Sequence, residues 1–276
     1  MNKRVCQLVS LDEALVRCHL TKIAQEKLSY LAVEECVGST NDEVMGLRNK
    51  ISKLPEGSFV ACVANQQSAG RGRNGRDWVS PANANIYMST GFHMMGVDAQ
   101  KINGLSLVAG VAIAKYLHRI GLSPQIKWPN DILIDEKKLA GVLIDSRISA
   151  DSLYVVVGIG LNVDMPEEAA SEIAQPWTDL CRVLSESNDK IDRNLLVAGL
   201  LDSIIVSFLE YAHAGFDSFV EDWKKYDLLS GREVVVVTQA GDQAGKVIGL
   251  EENFALRVVV NEVEQVFYAA DVKLKL

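Results

Sequence analysis

The stretch Gly70-Arg71-Gly72-Arg73-Asn74-Gly75-Arg76-Asp77-Trp78 constrains the fold of this chain more than any other. Its glycines formally spell GxGxxG, the fingerprint that sits between a strand and a helix in doubly wound nucleotide-binding sheets. The strand is present, because Phe59 to Ala64 is an unbroken apolar run. The helix is not: Trp78-Val79-Ser80-Pro81, with Asn83 and Asn85 behind it, is a poor helix start. A doubly wound reading therefore fails. As chemistry, the glycines allow positive φ and close backbone approach to a ligand. The arginines stay charged and fork onto carboxylate or phosphate, and the tryptophan offers a flat apolar wall. This describes an ordered anion-binding loop after a strand. The alternatives are a flexible basic loop or a patch that touches nucleic acid. The net charge of −8, with no basic surplus outside this loop, weighs against nucleic acid.

Local patterns fill in the rest. Residues 11 to 28 carry helical spacing in two pieces, and Leu31 to Val37 reads as a short strand. Ser39 or Thr40 then starts a helix, with Asp42 and Glu43 at the positive end of its dipole. Their simple role is capping; the alternative is that the hydroxyls and the Asn41 amide meet a ligand there. Asn85 to His93 reads as a strand, and residues 101 to 120 as a core helix ended by Gly121. Gln125 to Asp131 is a strand interrupted by Pro129 and continued by Ile132 to Ile134; Asp135 to Lys138 is a hairpin turn, and Leu139 to Ile144 returns. Leu153 to Val163 is a long strand whose Gly158 and Gly160 mark a bulge or a close approach. Residues 164 to 178 form an acidic loop whose length suggests a mobile, functional segment. Ile191 to Tyr226 is largely helical with a break near Gly215. After Ser230 come short strands at Val234–Val237, Lys246–Leu250, Ala255–Val260 and Gln265–Ala269, which suggest a small barrel.

Hairpin-paired strands beside helices indicate α+β rather than α/β. The five cysteines, Cys6, Cys18, Cys36, Cys62 and Cys181, are widely spaced and read as reduced thiols of a cytoplasmic protein. The four histidines show no metal-ligand spacing. No signal peptide is evident, and no run approaches the length of a membrane helix. No GxxxxGK[ST], serine elbow or HExxH is present.

The remaining chemistry lies in separated segments: Ser39-Thr40-Asn41, Gln67 with the glycine–arginine loop, Lys127-Trp128-Pro129-Asn130-Asp131, Lys138-Leu139-Ala140-Gly141 and Gly158-Ile159-Gly160-Leu161-Asn162. They supply cations, amides, glycines and one aspartate, but no good general base. That inventory suits a reaction between two anions. Holding a carboxylate ~4 Å from a phosphate costs on the order of 4 kcal/mol per charge pair at an effective dielectric near 20. Arg, Lys and a bound Mg²⁺ offset such a cost and stabilise a pentavalent phosphorus. A carboxylate-adenylating enzyme fits.

In that order, GRGRNGRDW, KWPND, KLAG and GxGxN resemble the biotin protein ligases over most of residues 31 to 276. The resemblance implies a mixed-sheet catalytic domain, residues 1–228, and an SH3-like C-terminal β-barrel, residues 229–276. It implies that biotin and MgATP give biotinyl-5′-AMP, and that the biotinyl group passes to a lysine of a biotin carboxyl carrier protein of acetyl-CoA carboxylase. Ser39, Thr40, Asn41, Gln67, Gly70, Arg71, Gly72, Arg73, Lys138, Gly141, Gly158 and Gly160 would bind biotin. Lys127, Asn130, Asp131, Asn162 and Trp177 would bind the nucleotide, Trp177 by stacking on adenine. Lys138 and Arg73 would be catalytic. Mg²⁺ would arrive with ATP, its protein ligands unassigned. A lipoate or octanoyl ligase of the same fold and a biotin-sensing regulator are the alternatives. Only 38 residues precede Ser39, too few for the winged DNA-binding domain of bifunctional members. The expectation is a ligase with no nucleic-acid or membrane partner, with a homodimer left open.

Overall fold

The computed structural model describes residues 8–95, 102, 104–148, 152–171, 173–184, 191–238, 241–268 and 270–275. Strands β1 (Leu28–Glu34), β2 (Phe59–Ala64), β3 (Ile86–Met95), β4 (Gln125–Lys127), β5 (Asp131–Ile134), β6 (Lys137–Ile148) and β7 (Ser152–Leu161) form one sheet. Its order is β1-β2-β3-β7-β6-β5-β4; β1 and β2 are parallel and every other pair is antiparallel. The fold is therefore α+β with a mixed sheet.

Helices α1 (Glu13–His19) and α2 (Lys22–Lys27) precede the sheet, α3 (Thr40–Gly46) and α4 (Arg48–Ile51) follow β1, and α5 (Leu105–Arg119) follows β3. Short α6 (Glu167–Ala170) and α7 (Leu180–Val183) come after β7. Then run α8 (Arg193–Ala214) and α9 (Val220–Tyr226), separated at Gly215, where φ is +72°. α1 starts at Asp12, whose carboxylate accepts the Leu15 N–H. α5 ends before Gly121, which takes a φ of +92°. Residues 101 and 103 of the expected helix lie outside the described residues.

The alternation along β7 divides the molecule. Leu153, Val155, Val157, Ile159 and Leu161 join the main core with α5 and α8. Tyr154 and Val156 face the other way, onto Val44 of α3 and Ile51 of α4. Past Val156 that second face carries only Gly158 and Gly160.

Non-local pairing moved several elements from their expected places. β1 begins at Leu28 because its register is set by β2, Leu28 lying opposite Phe59; Val37 makes only a bridge to Gln67. Ile132 to Ile134 does not continue the strand before it. Pro129 has no N–H for a ladder, the chain turns back at Trp128-Pro129-Asn130, and β5 pairs with β4 with Lys127 opposite Asp131. β6 runs on to Ile148. β7 keeps an unbroken register with β3 and β6, so its glycines mark close approach and not a bulge.

The C-terminal residues form β8 (Glu233–Thr238), β9 (Gly241–Leu250), β10 (Leu256–Val260), β11 (Val263–Phe267) and β12 (Asp271–Leu274), in antiparallel order β11-β10-β9-β8-β12. This sheet is barrel-like, in keeping with the small barrel expected, and it is not closed: β11 and β12 lie at opposite ends of the order. The first half of β9 has no apolar alternation and β12 is short, so neither was expected. Ala269 lies outside the described residues.

Cys181 is disulfide-bonded, which corrects the expectation of five reduced thiols; wide spacing in sequence says nothing of distance in the fold. Cys18, Cys36 and Cys62 are free, and Cys6 lies outside the described residues. Burial pushes the Cys62 thiol up to about 12. By length and composition α8 could cross a membrane, contrary to expectation; here it packs against α1, α2, α5 and β3 as part of the core.

Tyr116 of α5 lies over Gly199 of α8, where a Cβ would strike the buried ring. Gly199→Ala gains about 1 kcal/mol of helix propensity but must displace Tyr116. We expect a net loss of about 1–3 kcal/mol, read as a lower urea midpoint; an unchanged or higher midpoint would contradict this packing.

Candidate active site

A cavity of about 780 Å³ lies over the glycine-bearing face of β7. Gly158 and Gly160, with Gly141 opposite Gly160 and Leu143 opposite Gly158 on β6, form its floor. The glycines are required by what rests on them. A Cβ on Gly158 would strike the Asn41 amide, and one on Gly160 the indole of Trp78. The N-terminus of α3 and Gln67 wall one end, which we call the ring end. Lys127, Asn130, Asp131 and Lys138 wall the other, and Val237, Asp271 and Lys273 of the C-terminal sheet close the side.

The glycine–arginine segment is an ordered, hairpin-like flap. The Trp78 N–H donates to Gly70 O at 2.9 Å, the Gly72 N–H to Arg76 O at 2.6 Å, and Arg71 bridges Asp77. Its tip, Arg73-Asn74-Gly75, is one short turn with positive φ at Asn74 and Gly75. Arg71 Nη2 donates to Asp42 at 2.6 Å and lies 3.7 Å from Asp145; Arg76 pairs with Asp271 at 2.9 Å. The flap is thereby tied to both α3 and β12.

At the ring end, Ser39 occupies the N-cap position of α3 but its hydroxyl makes no capping bond. Gln67 Oε1 accepts the Thr40 N–H instead, at 2.9 Å. Gln67 Nε2 donates to Ser80 Oγ, which donates to Trp78 O. Ser39, Thr40 and Asn41 are all buried. The capping expected of Ser39 is thus supplied by a glutamine that reaches across.

At the other end Lys138 Nζ sits 2.8 Å from Asp131 Oδ1, with side chains only 15% and 13% exposed. Lys127 Nζ lies 4.0 Å from Asp131 Oδ2. Arg73 Nη1 donates to Asn130 Oδ1 at 3.3 Å, and Asn130 Nδ2 donates to Val142 O at 2.7 Å. Lys138 Nζ also stands 5.1 Å from the Trp78 ring centre, a cation–π contact. Burial lowers the Arg73 pKa, opposed by Asp271 and Asp131, yet a guanidinium remains charged. Burial likewise lowers the Lys127 pKa, opposed chiefly by Asp131. Lys138 and Lys127 thus stand at Asp131, and Arg73 stands near both Asp271 and Asp131, so three cations line one end of the cavity.

Of the residues expected from sequence, the fold gathers Ser39, Thr40, Asn41, Gln67, Arg71, Gly72, Arg73, Lys127, Asn130, Asp131, Lys138, Gly141, Gly158 and Gly160 around this one cavity. Gly70 stands behind it, pressed by Ser80 and Trp78 O. Asn162 is buried under the following loop, with its Nδ2 donating to Thr178 O at 3.0 Å. Trp177 does not line the cavity; its ring carries the Arg182 guanidinium 4.0 Å from its centre, while the backbone on either side pairs with Lys138. Sequence reading missed Ser89, Asp145 and Asp271. None belongs to a motif, and each reaches the site only through strand register.

Residues 33–162 match the model of a family described as the Biotin/lipoate A/B protein ligase family. The chain is 32% identical over 247 residues to the bifunctional ligase/repressor BirA of Salmonella typhimurium, covering 89% of this chain and 74% of that protein. It is 30% identical over 208 residues to a biotin–[acetyl-CoA-carboxylase] ligase of Mycobacterium tuberculosis, covering 74% and 73%. Its fold matches that of the Aquifex aeolicus biotin protein ligase in complex with biotin and ATP, with a TM-score of 0.69, 28% identity and coverage of 90% and 99%.

The Lys127 environment gives a stability prediction. A lysine whose folded pKa lies below its unfolded value costs stability as pH falls from the unfolded toward the folded pKa. Below both, the full cost stands. Lys127→Met removes that cost, and Asp131 keeps Lys138 as its partner. The urea midpoint at pH 7 should rise in the ligand-free protein; a fall would show that the Lys127–Asp131 attraction outweighs burial.

Proposed function

The chain belongs to the biotin/lipoate A/B protein ligase family, and on that premise we propose that its cavity activates biotin with ATP and transfers it to a carrier lysine. The biotin carboxylate oxygen attacks the α-phosphorus, forming biotinyl-5′-AMP as the bond to pyrophosphate breaks. The amine of a carrier lysine then attacks the acyl carbon, AMP leaves and the amine sheds a proton. The acceptor in this reading is a biotin carboxyl carrier protein of acetyl-CoA carboxylase.

The observation that carries the reading is the pairing of a polar, amide-lined ring end with a triply cationic end on one glycine floor. The ring end offers Thr40, Asn41 and Gln67 to a bicyclic ureido group. The flap, through Arg71, Gly72 and Arg73, spans the position of the carboxylate. Lys138 and Lys127 stand where the phosphates would lie, with Asn130 and Asp131 beside them. These cations offset the repulsion between two anions, on the order of 4 kcal/mol per charge pair at ~4 Å, and stabilise the added charge of the transition state. A flap closed over the site would keep water from the mixed anhydride.

Mg²⁺, entering with the triphosphate, would supply positive charge to it. Among the described residues no three metal-binding side chains cluster. Asp131 and Asn130 are the oxygens that would hold the ion, each giving up a bond to Lys138 or Arg73, with phosphate and water in the other positions.

A lipoyl ligase is the second reading, since the family description includes lipoate. A dithiolane has neither N–H nor carbonyl, so it would add no hydrogen bond to the polar groups at the ring end and would forgo about 0.5–1.5 kcal/mol for each bond that a ureido ring makes there. The test is incubation with ATP, labelled biotin and an apo carrier domain. Label should appear on the carrier lysine; lipoate accepted in its place would overturn the reading.

Lys138→Ala should reduce the rate of adenylate formation by roughly 10²–10³ while changing the biotin dissociation constant by less than about threefold. Equal losses in both would make Lys138 a ground-state contact.

A further inference from the structure

We infer that Asp145 is a positioning residue that sets the direction of hydrogen bonding at the ring end and, through it, the choice of ligand. The inference rests on the biotin reading above and adds a determinant to it. Asp145 stands on β6, two residues beyond Leu143 on the strand face that carries Gly141, and lies opposite Val156 of β7. Its side chain is partly open to solvent.

The chemistry of its neighbours leaves one arrangement of protons. A carboxylate can only accept, so the Asn41 group that faces Asp145 Oδ2 at 2.8 Å is the Nδ2 amine. Asn41 Oδ1 then points at Ser89 Oγ, 2.6 Å away, and must accept its proton. Ser89 Oγ has no second proton to give, so at 2.7 Å it accepts from Thr40 Oγ1. The Thr40 hydroxyl is thereby committed to Ser89 and not to Gln67 Oε1, which is 3.2 Å away and already accepts the Thr40 N–H. Thr40, Asn41 and Ser89 are all buried, so water does not blur this order.

Once these protons are committed, Thr40 Oγ1 and Asn41 Oδ1 have lone pairs left to offer. Thr40, Asn41 and Gln67 line the cavity. The ring end is therefore built to receive N–H donors, which a ureido ring has and a dithiolane lacks. Without the carboxylate, Asn41 is free to turn its amide over, the relay reverses, and N–H would meet N–H.

A second effect can be separated. Asp145 lies 3.7 Å from Arg71 Nη2, but the shorter contact of Arg71 is its 2.6 Å bond to Asp42, in which Asp145 takes no part. Loss of Asp145 should therefore not release the flap.

The experiment is calorimetric binding of biotin, lipoate and ATP to the wild-type chain, Asp145→Ala and Asp145→Asn, with urea midpoints recorded for all three. Asp145→Ala should weaken biotin by about tenfold or more, the size expected for a hydrogen bond to a charged group. ATP affinity and urea midpoint should hold, and the preference for biotin over lipoate should shrink by the same factor as biotin affinity. Asp145→Asn, whose own oxygen can accept from Asn41 Nδ2, should stay within about threefold of wild type. The inference is overturned if Asp145→Ala binds biotin as the wild type does, if ATP weakens equally, or if Asp145→Asn falls as far as Asp145→Ala. A wild-type chain that binds lipoate and no biotin overturns the biotin reading itself, whatever the variants do.

Discussion

Two missing side chains hold this site open. Asn41 and Trp78 lie directly on the sheet because Gly158 and Gly160 have no Cβ to exclude them. Everything else follows from that contact. The N-terminus of α3 can reach the sheet with its amide, the flap can fold back over the strand, and the cavity takes its depth from the thickness of two absent side chains. The other face of the same strand is fully apolar and belongs to the core cluster that α5 and α8 share. Period-two alternation thus lets one strand be both core and floor, rigid on one side and bare on the other.

The charge distribution completes the arrangement. Lys138, Lys127 and Arg73 gather around Asp131 and the amide of Asn130, with Asp271 beside them, in a mostly buried corner. Burial costs Arg73 and Lys127 something, and it lowers the pKa of both. The ligand-free fold carries that cost, and two anionic substrates would relieve it. Arg76 extends the network to Asp271, so the open C-terminal sheet is electrostatically part of the flap's support. The Trp128 indole N–H donates to Phe254 O at 3.0 Å and fastens the same sheet to the turn between β4 and β5.

How much of this the sequence disclosed follows from how local each signal was. β2, the end of α5 at Gly121, the break at Gly215 and the turn at Asp135-Glu136, both residues with positive φ, rest on neighbouring residues and were legible. The GxGxxG segment could be separated from a dinucleotide loop because a missing helix start is also local. The glycines of β7 announced a close approach but not what approaches. The residues supplied by register alone were silent: Ser89 opposite Gly158, Asp145 opposite Val156, and Asp271 on a strand too short to stand out. The same holds for the shift of β1, the return of β5 and the open edges of the C-terminal sheet. Asn162 and Trp177 were legible as positions near the site, but the Asn162 amide is bonded to Thr178 and the Trp177 ring stacks with Arg182.

The central step is the meeting of biotin's carboxylate and ATP's α-phosphate over this glycine floor. Exchange of labelled pyrophosphate into ATP, with no acceptor protein present, reads that step alone. The account predicts exchange that requires biotin and is not supported by lipoate. Exchange driven by lipoate and not by biotin, or no exchange with either acid, would contradict it.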